Sequence, residues 1–486
     1  MSLKNVLLLL PVICPALLAL LWHFLKLKGK ALHCAFFFTV LLGSALAAVN
    51  ALIEAPGEIL LEGPGLLAIS LRVDGISRIY LLLIAVIWPG VALYALEYLE
   101  HDQRQARFFL FYAITQGVLC ALALSGNLIT FYLFYEMMTL MSLPLEIHQQ
   151  SKEALRAGTK YLVYSVIGAS TALLGIIVLS SLGVNGDFST PALQLSQMGE
   201  KQGTVLAFSM VMLIGFGVKA GMFPMHGWLP TSHPAAPAPA SAVLSGVITK
   251  MGVLGTLRFL YQIAGAETLR GTWVQYTLLI LTLITVLLGS VMAYGQTVLK
   301  KRLAYSTVSQ VSYVLFGLCT LTEAGFVGAL LHIVFHSLIK NTLFMGAGAI
   351  IHKSGRIDVN DMNGLGRRMP WTYACFAVAS LGLVGIPPTC GFISKWNLAL
   401  GALDTSLPGA WIGPAVLLIS AVLTAGYLFV FVIHGCFSAA QEPSNVNEAG
   451  WKMKAPMAAY AVLVVLLGVF SRGIIDYMTA VARALM

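Results

Sequence analysis

Residues 205–239 read VLAFSMVMLIGFGVKAGMFPMHGWLPTSHPAAPAP. The first half is apolar for long enough to cross most of a hydrocarbon core, which takes about 20 residues, and it holds one charge, Lys219. The second half carries Pro224, Pro230, Pro234, Pro237 and Pro239. Proline lacks a backbone donor and clashes with the preceding turn, so the helix must break or stop here. Carbonyls freed at membrane depth are tolerated only where protein or water satisfies them. This one stretch therefore predicts a membrane-spanning helix broken beside a buried lysine and a hydrated path.

The rest of the chain is of the same kind. Of 486 residues, 58% are apolar and 10% charged, too few charges to cover a water-exposed surface. Disorder needs low hydrophobicity. A disulfide framework needs paired cysteines, whereas Cys14, Cys34, Cys120, Cys319, Cys375, Cys390 and Cys436 are scattered through apolar runs without a CxxC pair. The net charge of +9 comes with no solvated basic face of the kind nucleic acid requires.

The apolar runs divide into fourteen predicted spans, near residues 5–25, 31–53, 75–98, 106–124, 127–147, 158–183, 205–229, 238–263, 273–295, 303–321, 326–351, 371–403, 412–436 and 454–472. The expected fold is all-α, with residues 1–486 forming a single membrane domain. The first span, preceded by Lys4, lacks a small-residue cleavage site and reads as a helix rather than a secretory signal. Residues 55–74 alternate apolar and polar around Gly-Pro-Gly, which predicts an extracytoplasmic β-hairpin.

Orientation follows from Lys and Arg in the short loops. Of 29 such residues, 17 fall on alternate loops that include Lys26, Arg104, Lys152, Lys300, Lys353 and Lys452, and seven on the opposite side, among them Arg72, Lys201 and Arg270. The first set marks the cytoplasmic face. The chain is expected in the cell's inner (plasma) membrane with both termini extracytoplasmic. Five basic residues remain within spans: Lys219, Lys250, Arg258, Lys340 and Lys395. Glu136 is the acid deep in a span, while Glu97, Glu100 and Glu146 sit near helix ends where water is in reach.

An ionised group at mid-membrane costs at least about 2.5–3.5 kcal/mol on insertion scales, so each needs a partner, a cavity or water. Nothing near Glu136 in sequence satisfies it, and Lys219, in Gly215-Phe216-Gly217-Val218-Lys219-Ala220-Gly221, is the natural partner because small residues let helices approach. Such a pair either switches protonation or is a static ion pair that fixes helix register. Lys250 again lies among small and hydroxyl residues. His332, His336 and Lys340 fall on one helical face at i, i+4 and i+8. They read as a proton relay, since imidazole titrates near pH 6.5, with simple packing as the alternative. HxxxH also suits a metal, but the third member is a cation with no carboxylate or cysteine beside it, so no metal is expected. Span twelve repeats the pattern of span seven, with Pro387 and Pro388 preceding Lys395. A break that follows the lysine in one span and precedes it in the other is what two five-helix repeats of opposite orientation, spans four to eight (106–263) and nine to thirteen (273–436), would produce.

Pro224-Met225-His226-Gly227-Trp228-Leu229-Pro230, continuing through Ser241 to Val247 and Lys250-Met251-Gly252, closely resembles the hallmark of the antiporter-like membrane subunits shared by complex I, energy-converting hydrogenases, formate hydrogenlyases and Mrp-type Na⁺/H⁺ antiporters. Lys301-Arg302-Leu303-Ala304-Tyr305-Ser306, the His332 to Lys340 stripe and Gly391 to Lys395 match as well, so the resemblance covers nearly the whole chain. It implies fourteen core helices, two inverted repeats and proton translocation along a hydrated midplane axis. By this resemblance Glu136 is the essential helix-five glutamate, Lys219 its helix-seven partner and Lys250 the connecting lysine. His332, His336 and Lys340 are the central relay and Lys395 the terminal residue. Tyr135 stands where Trp is common, and Val298-Leu299-Lys300-Lys301 where Asp or Asn is common. The short tail after span fourteen and the lysine at 395 look like the D-type subunit of the Mrp antiporters.

The implied partners are other membrane subunits, including further antiporter-like chains, together with the lipid bilayer. The implied ions are protons, with Na⁺ as the second ion of the antiporter members. No GxGxxG, P-loop or cluster-binding cysteine set is present, so no cofactor is expected and redox chemistry belongs to partner chains. Two other readings remain: an autonomous secondary transporter for an organic substrate, with a closed midplane pocket, and a structural subunit with no ion path.

Overall fold

The computed structural model describes residues 3–54, 56–61, 63, 68–190, 192–439 and 446–486. Two apolar helices, α1 (Leu3–Phe24) and α2 (Gly29–Leu52), lead into strands β1 (Glu58–Leu61) and β2 (Ile69–Arg72). The strands pair antiparallel, Glu58 opposite Arg72 and Leu61 opposite Ile69, and the turn joining them falls mostly outside the described residues. Next come α3 (Gly75–Tyr98), α4 (Gln105–Leu124), α5 (Leu128–Glu146) and α6 (Lys152–Ser181). Side chains of Asp74, Asn127 and Ser151 accept from backbone N–H groups at the starts of α3, α5 and α6, which satisfies donors the helix itself leaves free.

The proline-rich segment folds as α7 (Gln202–Ala220), a short 3₁₀ turn and α8 (Leu229–Ala235). α7 stops at left-handed Gly221, just beyond Lys219, and Pro224 lies in the connection. Pro230 starts α8 instead of breaking a helix, since the first turn needs no N–H from it. α9 (Ala238–Val243) and α10 (Thr249–Arg258) are joined by a π turn, Leu244–Ile248, and a second π turn, Phe259–Ile263, follows α10. After a short α11 (Ala266–Leu269) come α12 (Trp273–Tyr294), α13 (Leu299–Cys319) and α14 (Glu323–Ser354). α15 (Pro370–Val384) ends at left-handed Gly385, and α16 (Cys390–Leu403) resumes beyond Pro387 and Pro388. α17 (Ile412–Phe437), α18 (Trp451–Val469) and α19 (Arg472–Arg483) complete the chain. The Phe223–Pro224 and Pro387–Pro388 peptides are cis.

Among the described residues, twelve helical segments are long and apolar enough to cross a membrane. The remaining two predicted spans fall on helices that do not meet that measure. Span ten is α13, which opens with Lys300, Lys301 and Arg302 and carries a run of serines and threonines. Span twelve is divided by its break into α15 and α16, of 15 and 14 residues.

α14 is the central helix, buried along most of its length and packed against α3, α9, α13, α15, α16 and α18. Small residues permit this approach: a Cβ on Gly328 would lie 2.7 Å from the backbone nitrogen of Leu398 on α16. On the periphery, Leu17, Phe38 and Leu418 are more than half exposed, which costs nothing where the surroundings are lipid. α19 is amphipathic, with Met478, Val481 and Ala482 turned inward, and Arg483 pairs with Glu323 of α14 at 3.1 Å.

Candidate functional site

Lys219 is buried, and its ammonium donates to three hydroxyls: Tyr161 at 2.7 Å, Thr139 at 2.9 Å and Ser165 at 2.9 Å. These come from α5 and α6. α6 meets α7 closely because Gly168 and Gly215 face one another across the contact; a Cβ on Gly215 would lie 2.6 Å from the Gly168 carbonyl oxygen. The Nζ also sits 4.1 Å from the centre of the Tyr161 ring. The direct Glu136–Lys219 pair read from the sequence is not formed: among the described residues no ion pair joins them. Glu136 is half-buried and shares the outer face of α5 with Leu133, Met137 and Leu140, each at least 40% exposed. Glu136 and Lys219 nevertheless lie within electrostatic range of one another.

α10 packs on α7 at Gly252, where a Cβ would come 3.1 Å from Cβ of Lys219. This brings Lys250, fully buried, to the next position inward. Its ammonium folds back onto the Ser245 carbonyl in the π turn, a kind of helix irregularity that recurs at functional sites. Ser245 Oγ lies 2.8 Å from Thr307 Oγ1 on α13. The adjacent Ser306 hydroxyl accepts from Lys340, which also donates to the Leu303 carbonyl at 2.9 Å.

His336 and His332 lie along the same face of α14, ring centres 5.6 Å apart. His332 Nδ1 is 2.9 Å from Ser394 Oγ on α16, and its ring stacks on Tyr313. Lys395, the next residue after Ser394, lies 5.0 Å over the same Tyr313 ring. It donates to the carbonyls of Leu383 at 2.6 Å and Val384 at 3.0 Å. Those are the last carbonyls of α15, left free by the break and carrying the negative end of its dipole.

Lys219, Lys250, Lys340, His336, His332 and Lys395 are thus brought together along the packed centre of the molecule, and Glu136 stands at its edge. Several buried polar atoms along this row have no hydrogen-bond partner among the described residues: His332 Nε2, both nitrogens of His336 and of His233, Gln310 Oε1 and Nε2, and Asn341 Oδ1. Buried groups of this kind are ordinarily satisfied by ordered water.

The structure corrects the sequence reading at other charges. Glu146 does not reach water; it is 2% exposed, with neither carboxylate oxygen hydrogen-bonded among the described residues. Lys300, assigned to a loop, is buried and donates to the Ala236 carbonyl at 2.8 Å. Arg258 is a structural tie, bonded to Asp74 and to Gln262 at 2.8 Å, Ser77 at 3.0 Å and the Ala123 carbonyl at 3.2 Å. Burial alone would raise the Asp74 carboxyl, but Arg258, Ser77 and Gln262 outweigh it and hold it at about 2.

Residues 125–424 match the family described as NADH:quinone oxidoreductase/Mrp antiporter, transmembrane, and residues 66–109 match the family described as NADH-ubiquinone oxidoreductase (complex I), chain 5 N-terminus. NADH-quinone oxidoreductase subunit N of Desulforudis audaxviator is 31% identical over 92% of this chain and 91% of its own length. The D subunit of the Na⁺/H⁺ antiporter of Alkalihalophilus pseudofirmus is 27% identical over 85% of this chain and 83% of its own. A chain in the structure of the Mrp complex from a Dietzia species superposes with a TM-score of 0.87 at 21% identity, covering 100% of this chain and 98% of that one.

Proposed function

The chain belongs to the NADH:quinone oxidoreductase/Mrp antiporter transmembrane family, and from that premise we propose that it is a proton-translocating subunit of a multi-subunit, ion-pumping membrane complex. It is a multi-pass integral membrane protein. In this reading α13 and the α15–α16 pair complete fourteen spans, arranged as two five-helix repeats of opposite orientation over 106–263 and 273–436. Both termini and the β1–β2 hairpin face outside the cytoplasm, in the cell's inner membrane. The partners are other membrane subunits, further antiporter-like chains among them. The chain serves as the D-type subunit of an Mrp-type cation/proton antiporter, where Na⁺ is the exchanged ion, or as its equivalent in a complex I-like or hydrogenase assembly.

The observation that carries this reading is the row itself. Lys219, Lys250, Lys340 and Lys395 are held by hydroxyls and carbonyls, and among the described residues no carboxylate is ion-paired with any of them. Each ammonium added to such a body raises the cost of the next. Charge introduced at one end is therefore felt along the row. A proton entering near Lys250 is held at Lys340, His336 and His332 and leaves through Lys395.

Glu136 supplies the switch. When the subunit beside α5 shifts, its carboxylate turns inward to pair with Lys219. Opposite charges about 4 Å apart interact by about 4 kcal/mol at an effective dielectric near 20. Moving one charge across 100 mV takes about 2.3 kcal/mol, so the two energies are matched in size.

The test is coupled proton transport by the whole complex in sealed vesicles. Glu136→Gln and Lys219→Ala are expected to abolish it while the complex still assembles. Normal transport by either assembled variant overturns the proposal. Co-purifying chains identify the assembly: iron–sulfur and nickel proteins mean a hydrogenase, small membrane proteins alone an antiporter.

A further inference from the structure

Glu146 is the last residue of α5. A carboxylate there faces the negative end of the helix dipole, where an acid is disfavoured, and it gains no hydrogen bond in return. Removing an unpaired charge from water costs several kcal/mol. Neither helix capping nor ion pairing explains this side chain, so it carries either a proton or a share in a nearby cation's charge.

Its surroundings supply the means. Glu146 lines a small cavity with Ser142, one turn earlier on α5, Ala236 and Ala240 beside and on α9, and Leu244 and Ile248 of the π turn before Lys250. The cavity has room for about one water molecule. From it a chain of two hydroxyls leads to the Lys219 centre: Ser142 Oγ lies 2.7 Å from Tyr161 OH, and Tyr161 OH accepts from Lys219 at 2.7 Å. The Ser232 hydroxyl of α8 lies near Glu146 without reaching hydrogen-bond geometry, and it has no other partner among the described residues. The cavity therefore reaches Ser142, which bonds a ligand of Lys219, and the turn that holds Lys250.

We infer that Glu146 is a second acidic proton site of the Lys219 centre, exchanging protons with Lys219 through one water, Ser142 and Tyr161. An ammonium proton of Lys219 passes to the Tyr161 oxygen as the Tyr161 proton passes to Ser142. The Ser142 hydroxyl rotates off the Thr139 carbonyl, 3.3 Å away, and gives its own proton to the water, which protonates the Glu146 carboxylate. The ammonium and carboxylate become amine and carboxylic acid, and the reverse sequence reloads the lysine. In this way Lys219 has a local proton acceptor whether or not Glu136 has turned inward.

The inference rests on the proposed proton translocation, and the experiment separates the two. Whole complex carrying Glu146→Gln, Ser142→Ala, Tyr161→Phe or Lys219→Ala is reconstituted in vesicles, and the initial rate of proton uptake is measured. Glu146→Gln is expected to slow transport about a hundredfold, in the range of a lost acid–base group, and Ser142→Ala, which cuts the relay without touching a charge, to slow it similarly. Infrared difference spectra of the wild-type complex should contain a buried carboxylic-acid band that Glu146→Gln removes and that Lys219→Ala shifts. An assembled Ser142→Ala complex with wild-type rates, or an unchanged infrared spectrum in Glu146→Gln, overturns this inference if Lys219→Ala is inactive. If Lys219→Ala also transports normally, proton translocation through this chain falls with it.

Discussion

The two broken helices present the same residue to opposite chemistries. At the first break Lys219 belongs to the helix that stops and reaches across to the hydroxyls of Thr139, Tyr161 and Ser165. At the second, Lys395 belongs to the helix that resumes and reaches back to the Leu383 and Val384 carbonyls of the one that stopped. Hydroxyls accept or donate, so they can satisfy an ammonium and also the lone pair of an amine; carbonyls only accept, so they leave the lone pair of an amine without a donor and favour the ammonium. The first site is built to change protonation state in place. The second favours a charged lysine, and it is partly exposed, beside the exposed Trp396 and Phe392.

The largest effect that sharpens this contrast comes from stripping the hydroxyls. Hydrogen bonds to a charged group are worth about 1.5–3 kcal/mol each. Thr139→Val, Tyr161→Phe and Ser165→Ala together are expected to lower proton transport by more than about a hundredfold; Thr139→Val or Ser165→Ala alone should cost about tenfold, and Tyr161→Phe alone, which also cuts the route to Glu146, about a hundredfold. The measurement is the initial rate in vesicles, normalised to assembled complex. If the triple variant keeps its rate, the hydroxyl shell is packing and the contrast collapses.

A smaller effect separates the two breaks at their glycines. Gly221 and Gly385 both end helices with positive φ, +76° and +91°. A Cβ on Gly385 would lie 3.0 Å from Cδ of Lys395, whereas one on Gly221 would strike Leu229 Cδ1 at 2.4 Å and is not near the Lys219 side chain. Both alanine variants carry strain of about 1–3 kcal/mol. Gly385→Ala should additionally pull Lys395 off its carbonyls and slow transport about tenfold, while Gly221→Ala should show its cost mainly as a lower melting temperature. Equal transport losses in the two variants would break the comparison.

A gentler perturbation acts between the sites. Ser394→Ala removes the hydrogen bond that orients His332 and leaves Lys395 its carbonyls. A severalfold slowing is expected, as for loss of one neutral hydrogen bond of about 1 kcal/mol. An unchanged rate would mean that His332 does not need orienting.

How much of this was legible in the sequence follows from which interactions are local. Apolar length and clustered prolines announced the helices and the breaks near Lys219 and Lys395, because both signals act within one segment. The histidine stripe was legible through its four-residue spacing. The ligands of Lys219 were not: a hydroxyl within a helix commonly bonds its own preceding turn, as Thr115 and Ser209 do, and nothing in the sequence distinguishes Tyr161 or Ser165 from those. Glu146 looked water-accessible because it ends a helix. Its burial is the work of α8 and α9, nearly a hundred residues later, folding over that end. Lys300 reads as a loop residue for the same reason, since its partner, the Ala236 carbonyl, belongs to that distant segment. The half-buried setting of Glu136 depends on how α5 is rotated in the bundle, which residue types alone leave open.

Arg258 is the third term of the comparison, a buried cation that does have a carboxylate. Asp74 lies at the mouth of the bundle, bonded to Arg258, Ser77 and Gln262, and its carboxyl is held at about 2 from an ordinary 3.8. A carboxyl lowered on folding contributes stability that is complete above the unfolded value and disappears as pH falls through the folded one. Here that window runs from roughly pH 4–5 down to about 2, and the contribution is about 2 kcal/mol. Between pH 6 and 9 the tie should therefore be constant, while transport along the lysine row should vary with pH. Asp74→Asn is expected to lower the thermal stability of the complex by a similar amount, and to leave the pH profile of transport unshifted. A shifted profile would mean that the Asp74–Arg258 tie carries protons, and that a buried cation here need not lack a carboxylate to take part in transport.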